Sequence, residues 1–163
     1  MSKQRTVWYF IADGARARVV LRDRTSGGYH AVRQFRSDKA RLKTSELVSD
    51  RQGRVMESGS ATRHAAVSHL DPHLEAKHAF ARDLAEHINH ACLGGECDEL
   101  ILVAPARTLG EIKKRLASPA HGKLVSEISK DLTHTPDGDL GKHLDELAHR
   151  IEHGLVHVDG HRH

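Results

Sequence analysis

The side chains in this sequence best suited to chemistry are its fifteen histidines and two cysteines. His87, His90, Cys92 and Cys97 lie close together, and imidazole and thiolate are ligands that zinc favours. Their spacing matches no standard finger. His87 and His90 share one helix face, whereas Cys97 falls beyond Gly94-Gly95, which stops the helix. A small buried thiol at Cys92 with solvated histidines beside it is the expectation. His149, His153 and His157 recur at i, i+4 and i+8, but Gly154 interrupts the helix that would align them. There is no phosphate loop with Gly-Lys-Ser/Thr, no Gly-x-Ser-x-Gly elbow and no His-Glu-x-x-His. No nucleophile–base constellation stands out either. The chain is expected to be no enzyme, to carry no metal or other cofactor, and to act on no small-molecule substrate.

Charge is the other chemical signal, and it is unevenly placed. Residues 1–64 hold 14 Lys+Arg against 6 Asp+Glu, whereas residues 65–163 hold 11 against 16. A basic amino-terminal half suggests a polyanion partner; the alternative is a solvated surface of mixed sign. Within residues 36–64 seven basic residues face four acids, among them Arg36, Lys39, Arg41, Lys43, Arg51 and Arg54. That stretch has no aromatic residue between Arg36 and His64, so it offers no base stacking and no sequence-specific reading.

The framework that must position these groups fits one domain of ordinary size. The chain has 163 residues, 38% of them hydrophobic, with mean hydropathy −0.54. The run Val7-Trp8-Tyr9-Phe10-Ile11-Ala12 is too short for a signal peptide or a membrane helix. Two cysteines form no disulfide framework and suit a reducing compartment. A cytoplasmic address without membrane contact is expected, with one domain over residues 1–154 and a polar tail over 155–163.

The first 35 residues read as a three-stranded meander. Thr6 to Ala12 leads into Asp13-Gly14, a hairpin signal because both central positions of such a turn favour φ > 0. Ala15 to Leu21 returns with Arg16, Arg18 and Arg22 on one face and Ala17, Val19 and Leu21 on the other. Ser26-Gly27-Gly28 turns again, and Tyr29 to Phe35 is the third strand. Residues 36–70 show no sustained period and read as a long loop. Asp71-Pro72 then opens a helix striped by Phe80, Leu84, Ile88 and Ala91. Glu99 to Ala104 reads as a central strand, Leu109, Ile112 and Leu116 as a short helix, and Leu124 to Ile128 as a fifth strand. Thr135-Pro136-Asp137-Gly138 turns the chain into a last helix striped by Leu140, Leu144, Leu147 and Ile151.

The order β-β-β-α-β-α-β-α is that of an α/β, ribonuclease-H-like fold: a mixed five-stranded sheet flanked by helices, with right-handed crossovers setting the last two strands parallel to the first. Nuclease chemistry does not follow from it. Two-metal hydrolysis needs carboxylates on the first strand and at the end of the fourth. The first strand has no acid before Asp13, whose place in the turn is conformational, and the fourth ends Val103-Ala104-Pro105.

Four stretches together resemble a known family. They are Trp8 to Arg18 (WYFIADGARAR), Leu47 to Arg54 (LVSDRQGR), Leu100 to Gly110 (LILVAPARTLG) and Lys130 to Thr133 (KDLT). The chain resembles the bacterial host attachment proteins, described as required for attachment to host cells, over residues 5–153. That family is in turn similar to the middle domain of archaeal and eukaryotic class-one release factors and of Pelota-like proteins. In that domain a loop carrying Gly-Gly-Gln enters the peptidyl-transferase centre. The matching loop here offers Arg51-Gln52-Gly53-Arg54 instead, and both Gly-Gly pairs lie elsewhere.

The resemblance thus implies a translation-associated module that binds ribosomal RNA or tRNA without promoting release. Arg36, Lys39, Arg41, Lys43, Arg51 and Arg54 would meet phosphates, with Gln52 and Gly53 at the loop's tip and Gly53 allowing close approach. The alternative is the family's name taken literally, a factor promoting attachment to host cells with no RNA role.

Overall fold

The computed structural model describes residues 5–41 and 71–154. They build one open five-stranded mixed sheet in the order β3-β2-β1-β4-β5. Strands β1 (Val7–Ala12), β2 (Arg16–Arg22) and β3 (Tyr29–Arg36) form the meander, each antiparallel to the next. Strands β4 (Glu99–Val103) and β5 (Leu124–Ile128) are parallel to β1, as right-handed crossovers predict.

The described helices are α1 (Asp38–Arg41), α2 (Pro72–Leu93), α3 (Ala106–Lys113), α4 (Ser118–His121) and α5 (Gly141–Glu152). A 3-10 turn over Asp137–Asp139 precedes the last. Among them, none is long and apolar enough to cross a membrane.

Successive side chains of a strand point to opposite faces, and in the central strands both faces are buried. Trp8, Phe10, Leu100 and Leu102 pack under α2 and α3 with Leu84, Ile88 and Ile112. Tyr9, Ile11, Ile101 and Val103 pack under α5 with Leu140, Leu144 and Ile151. Burial drives the pKa of the Tyr9 hydroxyl up to about 12. Among the described residues the one buried charged side chain, Glu99, accepts a hydrogen bond from Arg5 Nη1 at 3.0 Å.

Helix α2 starts as its sequence predicts. Asp71 accepts the backbone N–H of His73 at 2.9 Å, and Pro72 holds the first helical position. It ends where Gly95 takes φ +84°, letting Glu96 N–H bond back to the Ala91 carbonyl at 2.9 Å.

Two expectations are corrected. The β1–β2 turn has no residue at positive φ. It is tied by the Asp13 carboxylate, whose Oδ1 accepts the N–H groups of Ala15 at 2.8 Å and Arg16 at 2.7 Å. A side chain that grips its own backbone two and three residues on removes the need for a left-handed turn. Secondly, the stretch read as a loop from residue 36 begins with ordered backbone. β3 runs to Arg36, and Ser37 Oγ accepts the N–H of Ala40 at 3.2 Å to start the single turn of α1. Residues 42–70 and the tail 155–163 lie outside the described residues.

Candidate functional site

The carboxyl ends of β1 and β4 lie side by side, and the chain leaves them toward opposite edges of the sheet. In open α/β sheets the crevice outside such a pair is where ligands bind. Here it is a cleft of about 480 Å³ between the β1–β2 turn, α1, the first turns of α2 and α3, and the chain that follows β5.

Arg16, Lys77 and Arg107 line this cleft, and none of the three forms an ion pair with a described residue. Elsewhere the arginines are mostly neutralised: Arg18 by Asp137, Arg22 by Glu152, Arg33 by Glu96 and Arg36 by Asp38. The Lys77 stem crosses the β1–β2 turn at Gly14, where an added Cβ would come within 2.8 Å of Lys77 Cε. That close approach, rather than any special φ, is what the glycine permits. His73 also lines the cleft, and its Nδ1 is buried without a hydrogen-bond partner among the described residues.

Carboxylates share the lining. Asp13 Oδ2 lies 2.9 Å from Thr133 Oγ1 and 4.0 Å from His134 Nε2, and the same threonine hydroxyl lies 2.6 Å from Asp131 Oδ1. A hydroxyl has one proton to donate, so at any moment one of the two carboxylates lacks it. These groups are held by β2. Arg18 donates from Nη1 to Asp137 Oδ1 at 2.9 Å, and from Nη2 to the carbonyls of Leu132, at 2.8 Å, and Thr135. The guanidinium thereby fastens the chain on both sides of Thr133 and His134.

Glu111 sits at the α3 side of the cleft, within 2.7 Å of Arg115 Nη1, 3.2 Å of Lys114 Nζ and 3.8 Å of His78 Nε2. Burial pushes its carboxyl up, but the hydrogen bonds from Arg115 and Lys114 outweigh that and hold it below the usual carboxylate range. A depressed folded-state pKa contributes stability that is complete above the unfolded value of about 4.3. That contribution is lost as pH falls through the folded value. Glu111→Gln is therefore expected to flatten the acid limb of the stability–pH curve below about pH 4.3. An unchanged limb in urea melts across that range would contradict this assignment.

The residues singled out from sequence fall in two groups. Arg36 is paired 3.2 Å from Asp38, Lys39 is exposed, and Arg41 lines the cleft while reaching Asp38 at 3.5 Å. Lys43, Arg51, Gln52, Gly53 and Arg54 lie outside the described residues. The histidine–cysteine cluster does not assemble. His87 and His90 are exposed, with the His87 ring against Phe35 at 4.6 Å, while Cys92 and Cys97 are buried. Cys97 Sγ donates to the Glu99 carbonyl at 3.3 Å, and the interaction of the two thiols lowers the pKa of Cys92 and raises that of Cys97. Among the described residues no three His, Cys, Asp or Glu side chains are grouped to hold a metal ion.

Sequence reasoning passed over Lys77, Arg107, Asp131, Thr133 and His134. The signal was there: three of the four stretches that carry the family resemblance, around Asp13, Arg107 and Asp131, meet at this cleft. A family model described as protein required for attachment to host cells matches residues 8–144, which takes in the sheet from Trp8 onward and the whole lining of the cleft. No curated protein matches the chain.

Proposed function

Because the chain belongs to the host attachment family, with the cleft inside the matched region, we propose that it is a non-enzymatic, translation-associated module that binds the RNA backbone in the cytoplasm. The observation that carries this reading is the gathering of Arg16, Lys77 and Arg107, without carboxylate partners among the described residues, at the carboxyl ends of the central strands. Unneutralised cations on a concave surface attract phosphates, and release of counterions supplies the affinity.

The strand order, with β2 alone reversed, supports a ribonuclease-H-like assignment and hence the similarity to release-factor middle domains. Arg41 and His73, the described residues on either side of the stretch 42–70, both border the cleft, and Lys43, Arg51 and Arg54 are the basic residues of that stretch in our reading. The sequence lacks Gly-Gly-Gln, which leaves docking without peptide release.

The test is co-sedimentation with ribosomes between about 50 and 200 mM salt. Lys77→Gln with Arg107→Gln, or Arg51→Gln with Arg54→Gln, is expected to weaken binding and to flatten the log–log salt slope by about two. Neither pair should alter thermal stability by more than about 0.5 kcal/mol. If the parent protein does not bind even at low salt, the RNA reading falls. A direct role in attachment, which the family description favours, would then be measured by adhesion of a deletion strain complemented with each variant.

A further inference from the structure

We infer that the cleft is built to take a single ribose-phosphate group, the unit common to a free nucleotide and to the end of an RNA chain. This rests on the RNA reading and narrows it from a charged surface to a pocket. The cleft's volume of about 480 Å³ falls in the range of small-ligand sites.

Its lining is chemically divided. Arg16, Lys77 and Arg107 provide cations with no carboxylate partner among the described residues, which suits a phosphate group. Asp13 and Asp131 share the one proton of Thr133, so together they keep acceptor capacity that vicinal hydroxyls of a ribose can fill. His73 Nδ1, buried and without a hydrogen-bond partner among the described residues, adds a further polar atom that a ligand can meet. Ala40, Leu74 and Pro105 give the cleft an apolar wall for the sugar ring or base. A simple anion would use only the cations, and a neutral sugar only the carboxylates. A ribose phosphate uses both.

Binding is to be measured by titration calorimetry of the full chain with ribose 5-phosphate, 2-deoxyribose 5-phosphate, inorganic phosphate and adenosine 5′-monophosphate. A short RNA with a free 3′ end, whose last ribose keeps its vicinal hydroxyls beside a phosphodiester, separates the free-nucleotide source from the chain-end source by which of the two binds tighter. The expected order is ribose 5-phosphate over its deoxy analogue by about tenfold, the equivalent of one hydrogen bond to a charged acceptor. Inorganic phosphate should be weaker still.

Lys77→Gln should lower affinity for every phosphorylated probe, whereas Asp131→Asn should erase the ribose-over-deoxyribose preference and spare phosphate. Gly14→Ala is a separate probe of geometry. The added methyl displaces the Lys77 stem, so binding should fall about as far as in Lys77→Gln, while the folded state, which needs no positive φ there, keeps its stability. Equal binding of phosphate and ribose 5-phosphate would overturn the inference, as would absence of ribose-phosphate binding at millimolar concentration. If ribosomes or RNA still bind in that second case, the inference alone fails; if they do not, the RNA reading fails with it.

Discussion

Leu102→Asp is expected to abolish folding of the protein. Leu102 lies within β4, 1% exposed, with Phe10 of β1 beside it in register and the α2–α3 layer above. The substitution removes a buried leucine, worth about 2–5 kcal/mol by truncation alone. It also introduces a carboxylate into a cluster that holds no cation, at a further cost of several kcal/mol whether it ionises or takes up a proton. Domains of this size are stable by about 5–15 kcal/mol, so the sum is comparable to the whole margin. Leu102→Met, close in volume, should cost less than about 1.5 kcal/mol and serves as the control. Soluble yield and the near-ultraviolet dichroism of the two variants decide the matter: a soluble Leu102→Asp variant with native dichroism would show that β4 is not the buried centre of the sheet.

Arg18→Met is expected to cost about 2–4 kcal/mol and to lower Tm by roughly 5–15 °C. Its side chain is only 13% exposed, and the guanidinium joins β2 to the Leu132 and Thr135 carbonyls and the Asp137 carboxylate. Methionine keeps much of the apolar stem but leaves both carbonyls without this donor. Arg18→Lys should recover little, because one ammonium cannot reproduce the planar fork that reaches three acceptors at once. Since the same bonds fix the stretch holding Asp131 and Thr133, both variants should also lose selectivity between ribose and deoxyribose phosphates. Urea melts read the first effect and calorimetry the second. Stability close to that of the parent would mean that the chain after β5 is held by other contacts.

The central strands were legible because burial on both faces leaves a continuous apolar run. Leu100 to Ala104 and Trp8 to Ala12 could be little else, and the helix cap at Asp71-Pro72 has a local signature as well. The turn at Asp13-Gly14 was placed correctly but for the wrong reason. Whether an aspartate ties its turn through φ or through its carboxylate depends on what its second oxygen meets, and that partner, Thr133, comes from the far end of the chain. The site was hard to see for the same cause. Arg16, Lys77, Arg107 and Asp131 are ordinary polar residues in four separate segments, and only the sheet order brings them around one cleft. The basic stretch drew attention because its charges are adjacent in sequence. Charges that converge only on folding leave no run to notice.

The position of β1 between β2 and β4 also sets a schedule for the chain as it is made. Its antiparallel partner follows within a few residues, but the parallel partner of Val7 is Glu99, on the far side of α2. Until that strand emerges, the buried central strand β1 presents one row of unpaired backbone groups. At ordinary rates of synthesis the wait is roughly 5–20 s, long compared with hairpin closure in microseconds. The meander can therefore assemble early, yet the sheet cannot close until β4 arrives. Folding is expected to be governed by this one distant pairing, and the nascent chain carries an open, aggregation-prone strand edge for most of its synthesis.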